Sequence, residues 1–198
     1  MISVFFGAAS SGKSDLAEDF SLFLANYPII YLATLYEDED RENRARIRKH
    51  QSRRSGLPYE TLLAPTAEDG RRQLERCRDK TVLLDCLGVM AANSKYIYLA
   101  EENEYKEKAN DLVEKDIVDY IFTLSNISQD LIIVSPDVFS SASEELEESS
   151  RRYLRLLANI NRCLHTVLQA DFIEVKAALP SALICKQEAL TEFLERFK

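Results

Sequence analysis

The chain has 198 residues, 46% of them hydrophobic and 29% charged, and a formal net charge of -8. That apolar share can offset the entropy of ordering, so a disordered tail protein is excluded and a single domain over residues 1–198 is expected. The acidic balance speaks against a nucleic-acid or anionic-membrane surface, but a single phosphate group needs only a few local donors. Glycine is scarce, with five residues where average usage of about 7% would give about fourteen. The few that remain should sit where the backbone needs them.

The elements alternate strand and helix. Ile2 to Phe6 is a short β-branched and aromatic run ending at Gly7, and Ser14 to Leu24 carries Leu16, Ala17, Phe20, Phe23 and Leu24 at helical spacing. Tyr27-Pro28 breaks that helix, and Ile29 to Ala33 reads as a buried strand. Asp38 to Arg54 is very polar, with Ile47 its only strong hydrophobe. It predicts an exposed helix from Asp40 to about Ser52, closed by Ser55-Gly56-Leu57-Pro58. Tyr59 to Leu63 is a short strand, Glu68 to Arg78 an amphipathic helix, and Thr81 to Leu87 a strand that is apolar on both faces until Asp85. Helices follow over Met90 to Tyr98 and Glu107 to Asn126, separated by an acidic link at Ala100 to Tyr105. Asp130 to Val134 is another apolar strand, stopped by Ser135-Pro136, and Ser140 to Ser143 is a polar loop. A long helix is expected from Ser143 to about Gln169, then a strand at Phe172 to Val175 and a turn at Leu179-Pro180. A last strand at Ala182 to Cys185 and a terminal helix at Gln187 to Phe197 complete the chain. Strands that are continuous apolar runs are buried on both faces, which predicts an α/β fold with a mostly parallel sheet and helices on both faces.

Cys77, Cys86, Cys163 and Cys185 are scattered and form no CxxC pair, so reduced core thiols are expected rather than a zinc site. No apolar run approaches the ~18 residues of a membrane span, and Met1 to Phe6 lacks the features of a signal peptide. A cytoplasmic location is the expectation.

Gly7-Ala8-Ala9-Ser10-Ser11-Gly12-Lys13-Ser14 fits the phosphate loop GxxxxGK[ST] of P-loop NTPases. The loop follows an apolar strand and opens an amphipathic helix, the context this motif requires. Its N–H groups can converge on a phosphate at the positive end of the helix. Lys13 would reach the β- and γ-phosphates of ATP or GTP, and the Ser14 hydroxyl would ligate Mg²⁺. A carboxylate at the end of a neighbouring strand should complete the metal site. Asp85 is the first candidate, with a capping role as its alternative; Asp137 is either a second site residue or a turn residue. His50, in Arg46-Ile47-Arg48-Lys49-His50-Gln51, reads from composition as a solvated surface histidine. On a basic helix near nucleotide phosphates it could instead attack phosphorus. His165 reads as structural.

Several segments resemble, in order and spacing, the bifunctional adenosylcobinamide kinase/adenosylcobinamide-phosphate guanylyltransferase family of cobalamin biosynthesis. They are Gly7 to Ser14, Tyr31-Leu32-Ala33-Thr34, Arg46 to His50, Tyr59-Glu60-Thr61 with Pro65, Leu83 to Cys86, and Asn159 to Asp171 leading to Leu179-Pro180. The resemblance implies a RecA-like P-loop sheet, an oligomer, and two reactions on a corrinoid. The first is phosphorylation of the aminopropanol hydroxyl of adenosylcobinamide by ATP or GTP. The second is transfer of GMP from GTP to that phosphate through a guanylylated histidine, which His50 matches. It also implies nucleotide contacts from Gly7 to Ser14 (Gly7, Ala8, Ala9, Ser10, Ser11, Gly12, Lys13, Ser14), Ala33, Thr34, Leu35, Gln51, Ser52, Arg53, Arg54 and Asp85. The phosphate-loop chemistry itself makes Lys13 and Asp85 the catalytic candidates and Ser14 and Asp85 the metal ligands, with Asp85 or Asp137 orienting the metal or the acceptor hydroxyl.

The chain departs from the family pattern in places. Leu63 stands where the family has Glu, Tyr59 where it has Trp, and Asp85 where it has Glu. Ser10 replaces an Arg, Ala158 a Gly, and Ser135 to Ser141 contains no glycine. Two alternatives stay open on the residues: a P-loop kinase for another small molecule, and a nucleotide-binding regulator without catalysis.

Overall fold

The computed structural model describes residues 1–24, 28–36, 41–100, 109–138 and 147–197. The elements in order are β1 (Ile2–Gly7), α1 (Lys13–Leu24), β2 (Ile29–Ala33), α2 (Arg41–Arg54), β3 (Tyr59–Leu63), α3 (Ala67–Arg71), α4 (Leu74–Cys77) and β4 (Thr81–Asp85). They continue with α5 (Leu87–Ala100), α6 (Ala109–Ile127), β5 (Asp130–Pro136), α7 (Glu148–Thr166), β6 (Asp171–Lys176), β7 (Leu179–Ile184) and α8 (Glu188–Glu195). The strands form one sheet in the order β3-β2-β4-β5-β1-β6-β7. Every pairing is parallel except β6 with β7. The α/β class and the mostly parallel sheet are therefore as the apolar runs require.

Alternation along each strand divides the core between the two faces of the sheet. Val4 and Phe6 of β1, Ile30 and Leu32 of β2, Val82 and Leu84 of β4, and Leu131 and Ile133 of β5 point to one face. There α5, α6 and α7 cover them with Met90, Ile117, Tyr120, Leu157 and Ile160. Phe5, Tyr31, Leu83, Ile132 and Val134 point to the other face, under Leu16, Ala17 and Phe20 of α1 and Leu190 and Phe193 of α8. Neither cluster takes a described residue from α2. No described helix is long and apolar enough to cross a membrane.

Some boundaries differ from the sequence pattern, each for a tertiary reason. The helix expected over Glu68 to Arg78 is two short ones, α3 and α4. Gly70 lies under the Tyr120 ring, where a Cβ would come within 2.4 Å of the phenol. A tight turn follows, with Gln73 N–H donating to the Gly70 carbonyl at 2.9 Å. The strand expected to run to Leu87 stops at Asp85, because Leu87 already begins α5. The long helix ends at Thr166 rather than Gln169, whose φ is 54°. Its expected start at Ser143, most of the acidic link after Ala100 and the loop Ser140 to Ser143 lie outside the described residues.

Leu179-Pro180, expected as a turn, belongs to β7. The turn is one step earlier, at Ala177 (φ 50°) and Ala178 (φ 61°). This left-handed pair is what a tight hairpin needs, and Pro180 is tolerated because β7 is an edge strand. The hairpin tip rests on the loop after β1: Ala178 N–H donates to the Ser11 carbonyl at 2.7 Å. An alanine in the left-handed region costs about 1 kcal/mol relative to glycine. Ala178→Gly should therefore raise the thermal midpoint by about 2–4 °C, read by circular dichroism melts of the two proteins.

Candidate functional site

The site lies at the carboxyl ends of β1, β2 and β4, where parallel α/β sheets bind ligands. Gly7 ends β1, and a Cβ there would come 2.4 Å from the Val175 carbonyl oxygen and 2.7 Å from Ser11 Oγ. Only glycine fits between β1 and β6. Ser10 (φ 59°) and Gly12 (φ 89°) turn the chain, and Gly12 packs against Ala178. The loop runs directly into α1, whose first residue is Lys13. Lys13 Nζ donates to the Ala8 carbonyl at 3.0 Å, across the mouth of the loop. Ala8, Ala9 and Ser10 are exposed, and Ser11 is buried.

Ser14 is the second residue of α1, and its hydroxyl donates to Asp85 Oδ1 at 3.3 Å. Asp85 terminates β4, two strands away from β1 in the sheet. The fold thus joins two residues 71 positions apart in sequence. The other Asp85 oxygen accepts from the Tyr31 hydroxyl at 2.8 Å. Burial, and after it the charge of Asp85, pushes the Tyr31 phenol well above its ordinary range, which keeps its proton available to Asp85. A serine hydroxyl beside a carboxylate oxygen is a fitting donor set for Mg²⁺, which takes hard oxygen ligands.

A second group of contacts continues from Tyr31. The Arg54 guanidinium lies over the Tyr31 ring at 3.5 Å. Its Nη1 meets Glu18 Oε1 at 3.2 Å. Glu18 sits on α1 one turn beyond Ser14 and is 1% exposed. Arg53 Nε meets the other Glu18 oxygen at 2.9 Å, and Arg53 also pairs with Asp15 and Asp19. His50 Nδ1 stands 3.7 Å from Glu18 Oε1. Tyr59 donates to the Glu18 carbonyl at 2.9 Å and lies 2.6 Å from Ser21 Oγ. The phenol of Tyr59 is pushed up to about 12, mainly by burial.

The structure therefore sets Ser14 against Asp85 at the start of α1, beside Lys13, and His50 opposite Glu18 one turn further along the same helix. Arg53 and Arg54, expected at a nucleotide, direct their guanidinium groups to α1 in this structure. Thr34, also expected there, is fully buried: its Oγ1 accepts from Cys86 N–H at 2.7 Å, and its N–H donates to the Asp85 carbonyl at 3.1 Å. It ties the ends of β2 and β4 together. Ala33 and Leu35 are half-buried beside it, and Gln51 and Ser52 are exposed on α2. Asp137 N–H donates to the Gly7 carbonyl at 3.0 Å, so its backbone anchors the start of the loop. Leu63 pairs with Ala33 at the sheet edge and is 62% exposed. Of the residues that build this site, Glu18 and Tyr31, together with Asp15, Asp19 and Ser21, received no role from sequence reasoning. The available signal was an acidic residue on the apolar side of α1, four positions after Ser14.

A sequence model of the family described as cobinamide kinase / cobinamide phosphate guanyltransferase matches residues 3–177. No curated protein matches. One solved structure is described as a prototypical ATPase from the type III secretion system of pathogenic bacteria. It is 14% identical at a TM-score of 0.47, and the match covers 97% of this chain and 60% of that one.

Breaking a buried ion pair costs about 3–5 kcal/mol, because the remaining charge is left uncompensated, whereas an exposed pair contributes about 1 or less. Arg54 is 7% exposed and Arg53 32%. Arg54→Leu should therefore destabilise the protein by about 3 kcal/mol and Arg53→Leu by clearly less, measured by urea unfolding.

Proposed function

We propose that this chain, which belongs to the cobinamide kinase / cobinamide phosphate guanyltransferase family, catalyses two reactions on adenosylcobinamide. With ATP or GTP it phosphorylates the aminopropanol hydroxyl, and with GTP it transfers GMP to the resulting phosphate through guanylylated His50. The observation that carries this reading is that α1 connects both halves of the site. Ser14, in its first turn, contacts Asp85, and Glu18, in its second, contacts the helix of His50.

In the kinase half, N–H groups of Gly7 to Ser14 cradle the phosphates, and Lys13 leaves the Ala8 carbonyl to neutralise charge on the β- and γ-phosphates. Ser14 and Asp85 would hold Mg²⁺, which when bound supplies further charge neutralisation at those phosphates. Tyr31 keeps Asp85 oriented for that role. Ala33, Leu35, Gln51 and Ser52 edge the nucleotide, and Thr34 supports that edge by tying β2 to β4. Arg53 and Arg54 act first by fixing α2. In the transfer half, the His50 imidazole attacks the α-phosphate of GTP and is later displaced by the phosphorylated corrinoid. A cytoplasmic, oligomeric enzyme fits this reading.

Incubation with GTP labelled at the α-phosphate should leave an acid-labile, alkali-stable label on wild type and none on His50→Ala. Lys13→Ala should reduce kinase turnover by at least about 100-fold, since one preorganised charge at the transferring group is worth that much. Kinase turnover without any label would instead select a kinase for another small molecule. Tight nucleotide binding with no turnover would select a regulator.

A further inference from the structure

Neither apolar core cluster contains a described residue of α2, so polar contacts must orient His50. The His50 side chain is 25% exposed, yet its Nδ1 is buried and, among the described residues, makes no hydrogen bond. The group facing that nitrogen is the Glu18 carboxylate, 3.7 Å away and 1% exposed. The open part of the ring lies elsewhere, which leaves Nε2 as the nitrogen that can meet a ligand. The surrounding charges point the same way. Among the described residues, Asp15, Glu18 and Asp19 of α1 face Arg53 and Arg54. A positive charge that forms on the imidazole therefore lies beside a buried carboxylate.

We propose that Glu18 is the positioning residue for His50. Its carboxylate keeps the imidazole proton on Nδ1, leaves the Nε2 lone pair for the α-phosphate, and balances the ring's positive charge once Nε2 carries the nucleotide. This deepens the reading of His50 as the guanylylated residue and rests on it. In the forward step the Nε2–Pα bond forms and the bond from Pα to the bridging oxygen breaks, so pyrophosphate leaves with that electron pair. The proton on Nδ1 stays in place, and the ring becomes a cation beside Glu18. In the second step an oxygen of the acceptor phosphate displaces the ring, and Nε2 recovers its lone pair. Neither step needs an external acid, oxidant or reductant. Glu18 also lies four residues after Ser14 on α1, about 6 Å along the helix axis. The nucleophile is thereby held in register with the phosphate loop.

The test combines two measurements on the full chain. Nitrogen-15 spectra of histidine-labelled protein, taken well above the ordinary imidazole range, report which ring nitrogen of His50 bears the proton; a His165→Gln variant assigns the two histidines. Wild type should show Nδ1–H, and Glu18→Gln should shift the signal away from that single tautomer. The rate of labelling from GTP should fall about 10- to 100-fold in Glu18→Gln, the range seen when a carboxylate orienting a metal-bound histidine is lost. Asp15→Asn, which removes a carboxylate from the same arginine cluster but not from His50, should label at nearly the wild-type rate. Nε2–H as the main wild-type form overturns the proposal, even if Glu18→Gln fails to fold. Equal labelling of folded Glu18→Gln and wild type overturns it while leaving His50 as the guanylylated residue. No label on wild type overturns the functional reading, and the proposal with it.

Discussion

A single buried carboxylate governs how the second half of this site is attached to the first. Glu18 is 1% exposed, and a charge so placed is tolerated only if it is matched. The matching groups, Arg53 and Arg54, come from the last turn of α2. That helix has no apolar stripe with which to pack, so its position is set by charge rather than by the hydrophobic effect. Arg54 completes the attachment by lying over Tyr31, whose hydroxyl serves Asp85. The same few side chains thus fix the helix that carries His50 and the carboxylate that faces Ser14. A perturbation at one end has a short physical route to the other.

The phosphate loop is held by a different means. Backbone groups and close packing, not ion pairs, define it. Gly7 fits against the Val175 carbonyl, and Ser11 accepts from Ala178 at the tip of the β6–β7 hairpin. Because β1 lies between β5 and β6, the loop is braced from both sides: by Asp137 N–H on the β5 side and by the hairpin on the β6 side. The glycine-poor composition is visible here. Ser10, Ala177 and Ala178 all adopt positive φ without the freedom of glycine. The strain they store is offset by the hydrogen bonds and packing of the surrounding loop.

Much of the fold was legible in the sequence. Apolar runs such as Val82-Leu83-Leu84 and Leu131 to Val134 have no polar face, so they had to be strands covered on both sides, and a parallel sheet followed. The loop Gly7 to Ser14 was legible because its chemistry is local: the spacing of two glycines, a lysine and a serine depends on nothing distant. Helix α2 was also legible as an element, but not its attachment, because periodicity records apolar faces and α2 has none. The break between α3 and α4 was hidden for a related reason. It depends on Tyr120, fifty residues after Gly70, pressing on a position that looks unremarkable in its own window.

What the sequence determined by itself is therefore the strands and most of the helices, the α/β class and the spacing of the loop Gly7 to Ser14, each set by residues close together in the chain. What only the tertiary structure decided is which distant groups meet. Strand order brings Asp85 to Ser14 and to Tyr31, and the need to neutralise Glu18 brings Arg53 and Arg54 to α1, which carries His50, on the same helix as the two arginines, to Glu18 as well. Electrostatic pairing across sequence distance leaves no periodic trace in the chain. For that reason a buried glutamate on an apolar helix face acquired its role only once its partners were seen beside it.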